Sequence, residues 1–138
     1  MNALIDTNVA LDIMLHRKDY ANSMAVFIAA EKKYIIGYIS ASAITDIFYL
    51  AKKRLGKKNT KKALKEDLLQ VFKPATVTDQ HIYQALDLEW NDFEDSVQYI
   101  VGESFSADYI VTRNTQDYAS GSIPAVTPEQ FLKVITTD

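Results

Sequence analysis

The sequence lacks cysteine altogether and has few residues that break regular structure, with four glycines and three prolines in 138 residues. Without cysteine, the chain can form neither a disulfide framework nor a zinc knuckle, and it offers no thiol nucleophile. Its longest apolar runs are far shorter than the roughly 20 residues that a membrane-spanning helix requires, and no basic stretch opens the chain as in a signal peptide. These absences, with 48% hydrophobic residues, predict one globular domain over residues 1–138, located in the cytoplasm and without a membrane partner.

Charge is unevenly distributed along the chain. The net charge of −3 argues against a protein that binds nucleic acid over its whole surface. Eight of the fifteen basic residues nevertheless lie between Lys52 and Lys65. A run of lysines on a helix is typically a solvated face, but this segment can also contact RNA phosphates or an acidic partner. Lys52 and Lys53 are therefore candidate substrate-binding residues.

Short β-rich stretches alternate with longer helical patterns. Strands are predicted at residues 2–5, 35–40, 75–77, 107–112 and 124–126. Helices are predicted at residues 8–15, 20–33, 42–55, 59–72, 79–88, 93–105 and from residue 128 onwards. Thr7 or Asn8 is expected to cap the first helix, Pro74 to stop the fourth, and Thr127 with Gln130 to form a capping box. The alternation predicts an α/β fold, a three-layer α/β/α domain with a central, mostly parallel sheet of about five strands.

Four aspartates are placed to reach one edge of this sheet. Asp6 comes directly after the first strand, and Asp46 lies one turn into the helix after the second. Asp95 lies in the first turn of the helix that begins near Asp92, and Asp117 follows the fourth strand by one short loop. Ligands of parallel sheets bind outside the carboxyl ends of the strands. We therefore expect the four carboxylates to meet at the same rim.

Such a group of carboxylates points to a hard divalent cation. Carboxylates that converge without a counterion repel one another, and burial with like charge raises their pKa values. Mg²⁺ and Mn²⁺ prefer oxygen ligands, whereas the absence of cysteine and the presence of only two histidines disfavour zinc. Either ion can activate a water for attack on a phosphodiester. The four aspartates are therefore candidate catalytic and metal-binding residues.

The segments that carry these acids, taken in order, resemble the motifs of PIN-domain proteins. The motifs are Asp6-Thr7-Asn8 after an apolar strand, residues 39–46 (ISASAITD), residues 92–98 (DFEDSVQ) and residues 107–118 (ADYIVTRNTQDY). Residues 123–132 are similar to the C-terminal strand and helix of the same family. The resemblance covers nearly the whole chain, and the fourth motif is the most specific.

This resemblance implies a metal-dependent endoribonuclease, most like the VapC-type toxins of toxin–antitoxin pairs. Such proteins cleave RNA, form homodimers and are inhibited by an antitoxin encoded alongside. Carried onto this chain, the resemblance makes the acidic site Asp6, Asp46, Asp95 and Asp117. The polar supports of that site become Thr7, Asn8, Thr112 and Asn114. Arg113, which lies beside it in the sequence, is a candidate contact for a substrate phosphate.

Two departures from the family pattern keep a second function open. The second acid is more often glutamate in the family, and here it is the shorter Asp46. The fourth motif often has aspartate where this chain has Asn114, so Asp117 must supply the charge. The alternative is a non-catalytic PIN-like module that binds RNA or protein with a weakened metal site. An aspartyl phosphatase is disfavoured, because Asn8 stands where a second aspartate is wanted.

Several aromatic residues lie at helical spacing. This spacing predicts core positions for Tyr49, Tyr83, Trp90 and Phe93. An aromatic ring that is exposed instead can stack on a base.

Overall fold

The computed structural model describes residues 1–137, which form a central sheet flanked by helices on both faces. The strands are β1 (Asn2–Ile5), β2 (Ile36–Ser40), β3 (Lys73–Ala75), β4 (Tyr109–Val111) and β5 (Ala125–Val126). The helices are α1 (Thr7–Leu15), α2 (Tyr20–Glu31), α3 (Ala41–Leu55), α4 (Lys57–Lys62), α5 (Leu69–Val71), α6 (Asp79–Asp87), α7 (Phe93–Ser104) and α8 (Pro128–Thr137). A π-helical segment, Ala63–Leu68, joins α4 to α5, and a 3₁₀ turn, Thr115–Tyr118, follows β4.

The sheet is parallel throughout, with strand order β3-β2-β1-β4-β5. Leu4 in the central strand pairs with Tyr38 of β2 on one side and Ile110 of β4 on the other. Strand order reverses between β1 and β4, and ligands of open parallel sheets bind at such a point. The residues that follow these two strands, Asp6 and Thr112, therefore border the expected crevice.

Alternation along the central strand divides the core between the two faces of the sheet. Ala3 and Ile5 pack with Phe72 in one cluster, which includes residues of α1, α2, α3 and α8. Leu4 packs with Val101 in a second cluster beneath α6 and α7. Successive side chains of a strand point to opposite faces, so a short apolar strand supplies both cores. This arrangement confirms the predicted three-layer α/β/α fold.

Two details of the predicted elements are wrong. The third strand is Lys73–Ala75 rather than 75–77, and Pro74, predicted only as a helix stop, lies within it. Because β3 is an edge strand, it tolerates a residue that has no N–H to donate. The first helix is capped by Asp6, whose side chain accepts from the backbone N–H of Thr7, so neither Thr7 nor Asn8 is the cap.

The predicted capping box of α8 is confirmed. Thr127 Oγ1 accepts from the Gln130 backbone N–H at 3.2 Å, and Gln130 Oε1 accepts from the Thr127 N–H at 2.9 Å. Among the helices of residues 1–137, none combines the length and apolar character that crossing a bilayer demands.

Candidate active site

Asp6 is the most constrained acid at the carboxyl edge of the sheet. Its side chain is only 6% exposed. Oδ1 accepts from the Thr7 backbone N–H at 2.7 Å and from Gln98 Nε2 at 2.8 Å. Oδ2 accepts from Thr112 Oγ1 at 2.7 Å and from Asn8 Nδ2 at 3.4 Å. A buried carboxylate with this many donors is held in one orientation, because each donor satisfies part of its hydrogen-bonding capacity.

The polar supports connect α1 to the loop after β4. Asn8 Oδ1 accepts from the backbone N–H of Arg113 at 3.2 Å. Thr112 Oγ1 accepts from the backbone N–H of Asn114 at 3.0 Å and from Asn8 Nδ2 at 3.4 Å. Thr112 is fully buried, whereas the Asn114 side chain is exposed. Asn8 and Thr112 thus fix the loop that leads to Asp117.

A hydrogen-bonded chain links Asp6 to Asp95 across the sheet edge. Gln98 Nε2, which donates to Asp6, also lies 3.0 Å from the hydroxyl oxygen of Tyr118, which accepts from it. The Tyr118 hydroxyl in turn donates to Asp95 Oδ1 at 3.4 Å. The backbone N–H of Asp95 donates to Asp92, the N-cap of α7. Asp95 is therefore positioned from both its backbone and its side chain.

The acids at this edge interact electrostatically. Burial raises the pKa of Asp95 to about 7, with further increases from the charges of Asp92, Asp6 and Asp117, while the hydrogen bond from Tyr118 lowers it. Burial also raises the pKa of Tyr118, so its phenol remains a protonated donor. Asp6, Asp92 and Asp117 all act on Asp95 through their charges. These acids therefore lie near one another at this end of the sheet.

Glu94 takes part in the same repulsion. Partial burial raises its pKa, and the charge of Asp46 is the next cause, with a side-chain hydrogen bond between the two acids adding to it. The charges of Asp92 and Asp6 raise the pKa of Glu94 further. Glu94 and Asp46 are therefore close neighbours on α7 and α3.

The acids occupy two cavities on the surface beside Asp6. One, the Asp117 cleft, has a volume of about 240 Å³ and is lined by Trp90, Asp92, Asp95, Gln116 and Asp117. The other, the Asp46 cleft, has a volume of about 220 Å³ and is lined by Thr7, Asp46, Ile82, Phe93, Glu94 and Gln98. Within residues 1–137, no three side chains of histidine, cysteine, aspartate or glutamate converge as a ready-made metal cage. The structure brings the acids to one edge but divides them between two clefts.

The donor set of this edge nevertheless fits a hydrated Mg²⁺ or Mn²⁺. Its side-chain donors are oxygen atoms, and burial together with neighbouring carboxylate charges raises the pKa of Asp95, a cost that a bound cation offsets. Mg²⁺ retains several waters and is usually held by one or two carboxylates rather than by an all-protein cage. Asp6, Asp95, Asp117 and the Asp46–Glu94 pair could hold such an ion.

Asp95→Asn is expected to stabilise the metal-free protein at pH 8 but not at pH 4. The folded pKa of Asp95, about 7, lies above the ordinary 3.8, so between those values the folded state binds the proton and the unfolded state does not. Wild-type stability therefore falls as pH rises through that window. After allowance for solvent screening, the free energy of unfolding of the asparagine variant should exceed that of the wild type by about 1 kcal/mol at pH 8. Urea unfolding in the presence of a chelator measures this difference.

The control for this comparison is Asp87→Asn, which removes an exposed carboxylate at the end of α6. It should leave the pH dependence of unfolding unchanged. Equal losses of stability by Asp95→Asn at both pH values would contradict the assignment of a like-charge cost to this site.

Arg113 lies in an ion pair that the sequence does not reveal. Its Nε is 2.7 Å from Oδ2 of Asp12, a fully buried carboxylate, although the N–H does not point along the line of a hydrogen bond. Asp12 Oδ1 also accepts from Arg17 Nε at 3.3 Å. Arg113 thus compensates a buried charge, and contact with a substrate phosphate stays a prediction. The sequence feature that indicates a partner for Asp12 is its position inside an apolar stretch of helix, where an unpaired charge is costly.

Gln98 and Tyr118 are the other site residues that sequence reasoning missed. Gln98 is 5% exposed and Tyr118 is 1% exposed. A glutamine in the apolar stretch of α7 is a usable signal, because a buried polar side chain requires partners. The pairing of Gln98 with Asp6 spans 92 positions, and nothing local to either residue predicts it.

The lysines proposed to bind substrate lie outside the two clefts. Lys52 and Lys53 are exposed in the last turn of α3. The Lys52 ammonium lies 6.0 Å from the centre of the Tyr49 ring, within reach of a weak cation–π interaction. A role of both lysines in RNA contact stays a prediction.

The aromatic core prediction is wrong for three of the four residues. Tyr49, Tyr83 and Phe93 are 63%, 64% and 45% exposed. Helical spacing places a residue on a face but does not tell whether another element covers that face. Trp90 does pack inward, with its ring centre 4.8 Å from that of Tyr99.

Comparisons with known proteins identify the class to which this architecture belongs. A sequence model described as PIN domain matches residues 2–116. The chain therefore belongs to the PIN domain family, which confirms the resemblance seen in its motifs. A search of curated proteins gave no match.

Three solved structures share the fold at low sequence identity. Mycobacterium tuberculosis VapC20, described as a toxin that cleaves the sarcin–ricin loop, has a TM-score of 0.69 and 14% identity, covering 86% of this chain and 95% of that chain. Rickettsia felis VapBC2, bound to a DNA fragment from its promoter, has a TM-score of 0.71 and 15% identity, covering 92% and 98%. Neisseria gonorrhoeae FitAcB has a TM-score of 0.67 and 16% identity, covering 92% and 98%. At these identities the likeness establishes the fold alone.

Proposed function

We propose that the chain is an endoribonuclease dependent on Mg²⁺ or Mn²⁺, and the toxin of a type II toxin–antitoxin pair. The observation that carries the proposal is Asp6, a buried carboxylate fixed at the strand-order reversal by several donors. Gln98, which donates to Asp6, lines the Asp46 cleft, and the charge of Asp6 acts on Asp95 in the Asp117 cleft. Membership of the PIN domain family and the fold shared with VapC20 and VapBC2 support the same reading.

The residues of the site have separate tasks in the proposed reaction. Thr112, Asn8 and Gln98 keep the Asp6 carboxylate in place, and Tyr118 orients Asp95. A divalent cation bound among these carboxylates would neutralise their charge and lower the pKa of the attacking water.

The products follow from the bond that breaks. The oxygen of the attacking water bonds to phosphorus, and the phosphorus bond to the 3′-oxygen of the preceding nucleotide breaks. This gives a 5′-phosphate and a 3′-hydroxyl. The water gives up one proton to solvent as the new bond forms, and the departing 3′-oxygen takes one up. Asp95 is proposed as one of the carboxylates that hold the cation.

Metal dependence is the direct test of the reaction. Incubation with a mixed RNA pool is expected to give discrete cuts in Mn²⁺ or Mg²⁺ and none in excess chelator, with cutting restored when metal is added back. The product ends are read by their susceptibility to a 5′-phosphate-dependent exonuclease. Cuts that persist in chelator would refute the mechanism, and an absence of cuts under every metal would refute the nuclease assignment.

The proposed partners are an antitoxin protein and a second copy of the chain. VapBC2 is described as bound with promoter DNA, and a small DNA-binding protein encoded beside this chain would be the corresponding partner. Co-expression of that protein should abolish RNA cleavage, and light scattering of the purified chain should give the mass of a dimer.

A non-catalytic PIN-like module is the second candidate function. It is favoured by the division of the acids between two clefts, with no three of them converging within residues 1–137, and by the neutral Asn114 in the fourth motif. Such a module would bind RNA equally well in metal and in chelator, and would cut none.

A further inference from the structure

The Asp46 cleft has an apolar wall that its candidate catalytic role does not explain. Phe93 begins α7 and lines the cleft, yet 45% of its surface is exposed. Phe93 belongs to neither of the two core clusters. Ile82, half-buried on α6, extends the apolar wall. An aromatic ring exposed at the wall of a cavity is available to stack on a base.

The polar wall of the same cleft has an unused acceptor. Gln98 lines the cleft, and its Oε1 is buried without a hydrogen-bond partner within residues 1–137. Rotating the side-chain amide by 180° to exchange Oε1 with Nε2 does not solve this, because Nε2 already donates to Asp6 and to Tyr118. Buried acceptors are normally satisfied, so this one favours a ligand that brings an N–H donor.

We propose that the Asp46 cleft is a subsite for an unpaired nucleobase of the RNA, stacked on Phe93 beside the scissile phosphate. This inference rests on the proposed ribonuclease function and names the form of its substrate. Nucleobases are flat, uncharged and rich in N–H groups, which suits an apolar wall, a free acceptor and a rim of carboxylates.

The proposal requires one nucleotide of the RNA substrate, the one whose base enters the cleft, to be unpaired. Aromatic side chains stack on bases of single-stranded loops and ends, which can be splayed out, and not on bases within a duplex. Cleavage is therefore expected where the nucleotide at the cleft is unpaired. A cavity of about 220 Å³ admits one base and not a base pair.

The test is a binding measurement that does not depend on turnover. A single-stranded RNA oligonucleotide carries the fluorescent base 2-aminopurine at each position in turn, with Ca²⁺ as a hard cation of the same oxygen preference. Stacking on Phe93 should quench the fluorescence at one position. Phe93→Leu should abolish the quench and weaken binding by about tenfold, the range expected for one base–aromatic stack, whereas Phe93→Tyr should retain both.

The matched control is Tyr83→Leu, which removes a more exposed ring on α6 that does not line the cleft. It should bind and quench as the wild type does, and thermal unfolding should show all variants folded. Unchanged binding and quenching by Phe93→Leu, or equal binding of the annealed duplex, would overturn the subsite. The RNA-pool assay in Mn²⁺ and Mg²⁺ reports separately on the nuclease function, so either proposal can fail alone.

Discussion

Asp6→Asn is expected to reduce metal-dependent RNA cleavage by more than about 100-fold. Loss of a partner that only supports a metal ligand typically costs 10–100-fold in metal affinity or activity, and Asp6 is proposed as a ligand itself. The substitution removes the negative charge of the carboxylate that Gln98 and Thr112 hold in place. Single-turnover cleavage of an RNA that the wild type cuts, with metal concentration varied, measures the loss.

The same substitution also tests how Asp6 is held. The asparagine oxygen can replace Oδ1 and accept from Thr7 and Gln98, but its Nδ2 then faces Thr112 Oγ1. That hydroxyl already accepts from the Asn114 backbone N–H, so the network is left imperfectly paired. A loss of about 1–2 kcal/mol in the free energy of unfolding should follow.

The control for Asp6→Asn is Asp108→Asn, which removes an acid at the opposite end of the same strands. Asp108 precedes β4, and its Oδ2 accepts from the backbone N–H of Asn2 at 2.8 Å. This variant should cleave RNA at the wild-type rate. Full metal-dependent cleavage by a folded Asp6→Asn protein would remove Asp6 from the proposed site.

Arg113→Met is expected to lower the free energy of unfolding by about 3 kcal/mol. Removing one partner of a buried ion pair typically costs about 3–5 kcal/mol, because the other charge is left uncompensated. Asp12 is fully buried, and the remaining Arg17 contact at 3.3 Å places the effect at the lower end of that range. Urea unfolding of the metal-free protein provides the measurement.

Two comparison variants separate the ion pair from a role in substrate binding. Arg17→Met removes the longer and more exposed contact to Asp12 and should cost less. A double variant, Asp12→Leu with Arg113→Met, should recover much of the stability, because an apolar pair of similar volume carries no desolvation cost. Unchanged stability of Arg113→Met together with weaker RNA binding would instead establish Arg113 as a phosphate contact.

The three-layer fold and the carboxyl edge of the sheet, where the candidate site lies, could be predicted from the sequence because both depend on local patterns. The apolar strand before Asp6 and the cap of α7 at Asp92 can both be read from neighbouring residues. The prediction for Pro74 was wrong because a strand tolerates proline only at the edge of a sheet. The strand order, which the sequence does not show, decides which strands are edges. Gln98 and Tyr118 could not be assigned, since their contacts join elements that folding alone brings together.

The exposure of Phe93 and the pairing of Arg113 with Asp12 were unpredictable for a related reason. Helical periodicity gives the direction of a side chain but not the neighbour that covers it. Asp46 and Glu94 show the same limit, because they lie on α3 and α7, and only the folded chain brings them to the rim of one cleft. The family motifs predicted the acids as a set at one edge, whereas their division between two clefts required the structure.

The hydrogen bond from Thr112 to Asp6 joins residues 106 positions apart, and β4 pairs directly with the first strand. A ribosome that has released only the first two-thirds of this polypeptide has therefore made an N-terminal carboxylate without the strand and the hydroxyl that hold it. An unfinished chain of that length therefore lacks the complete candidate site. The proposed activity against RNA would begin only after synthesis is nearly complete.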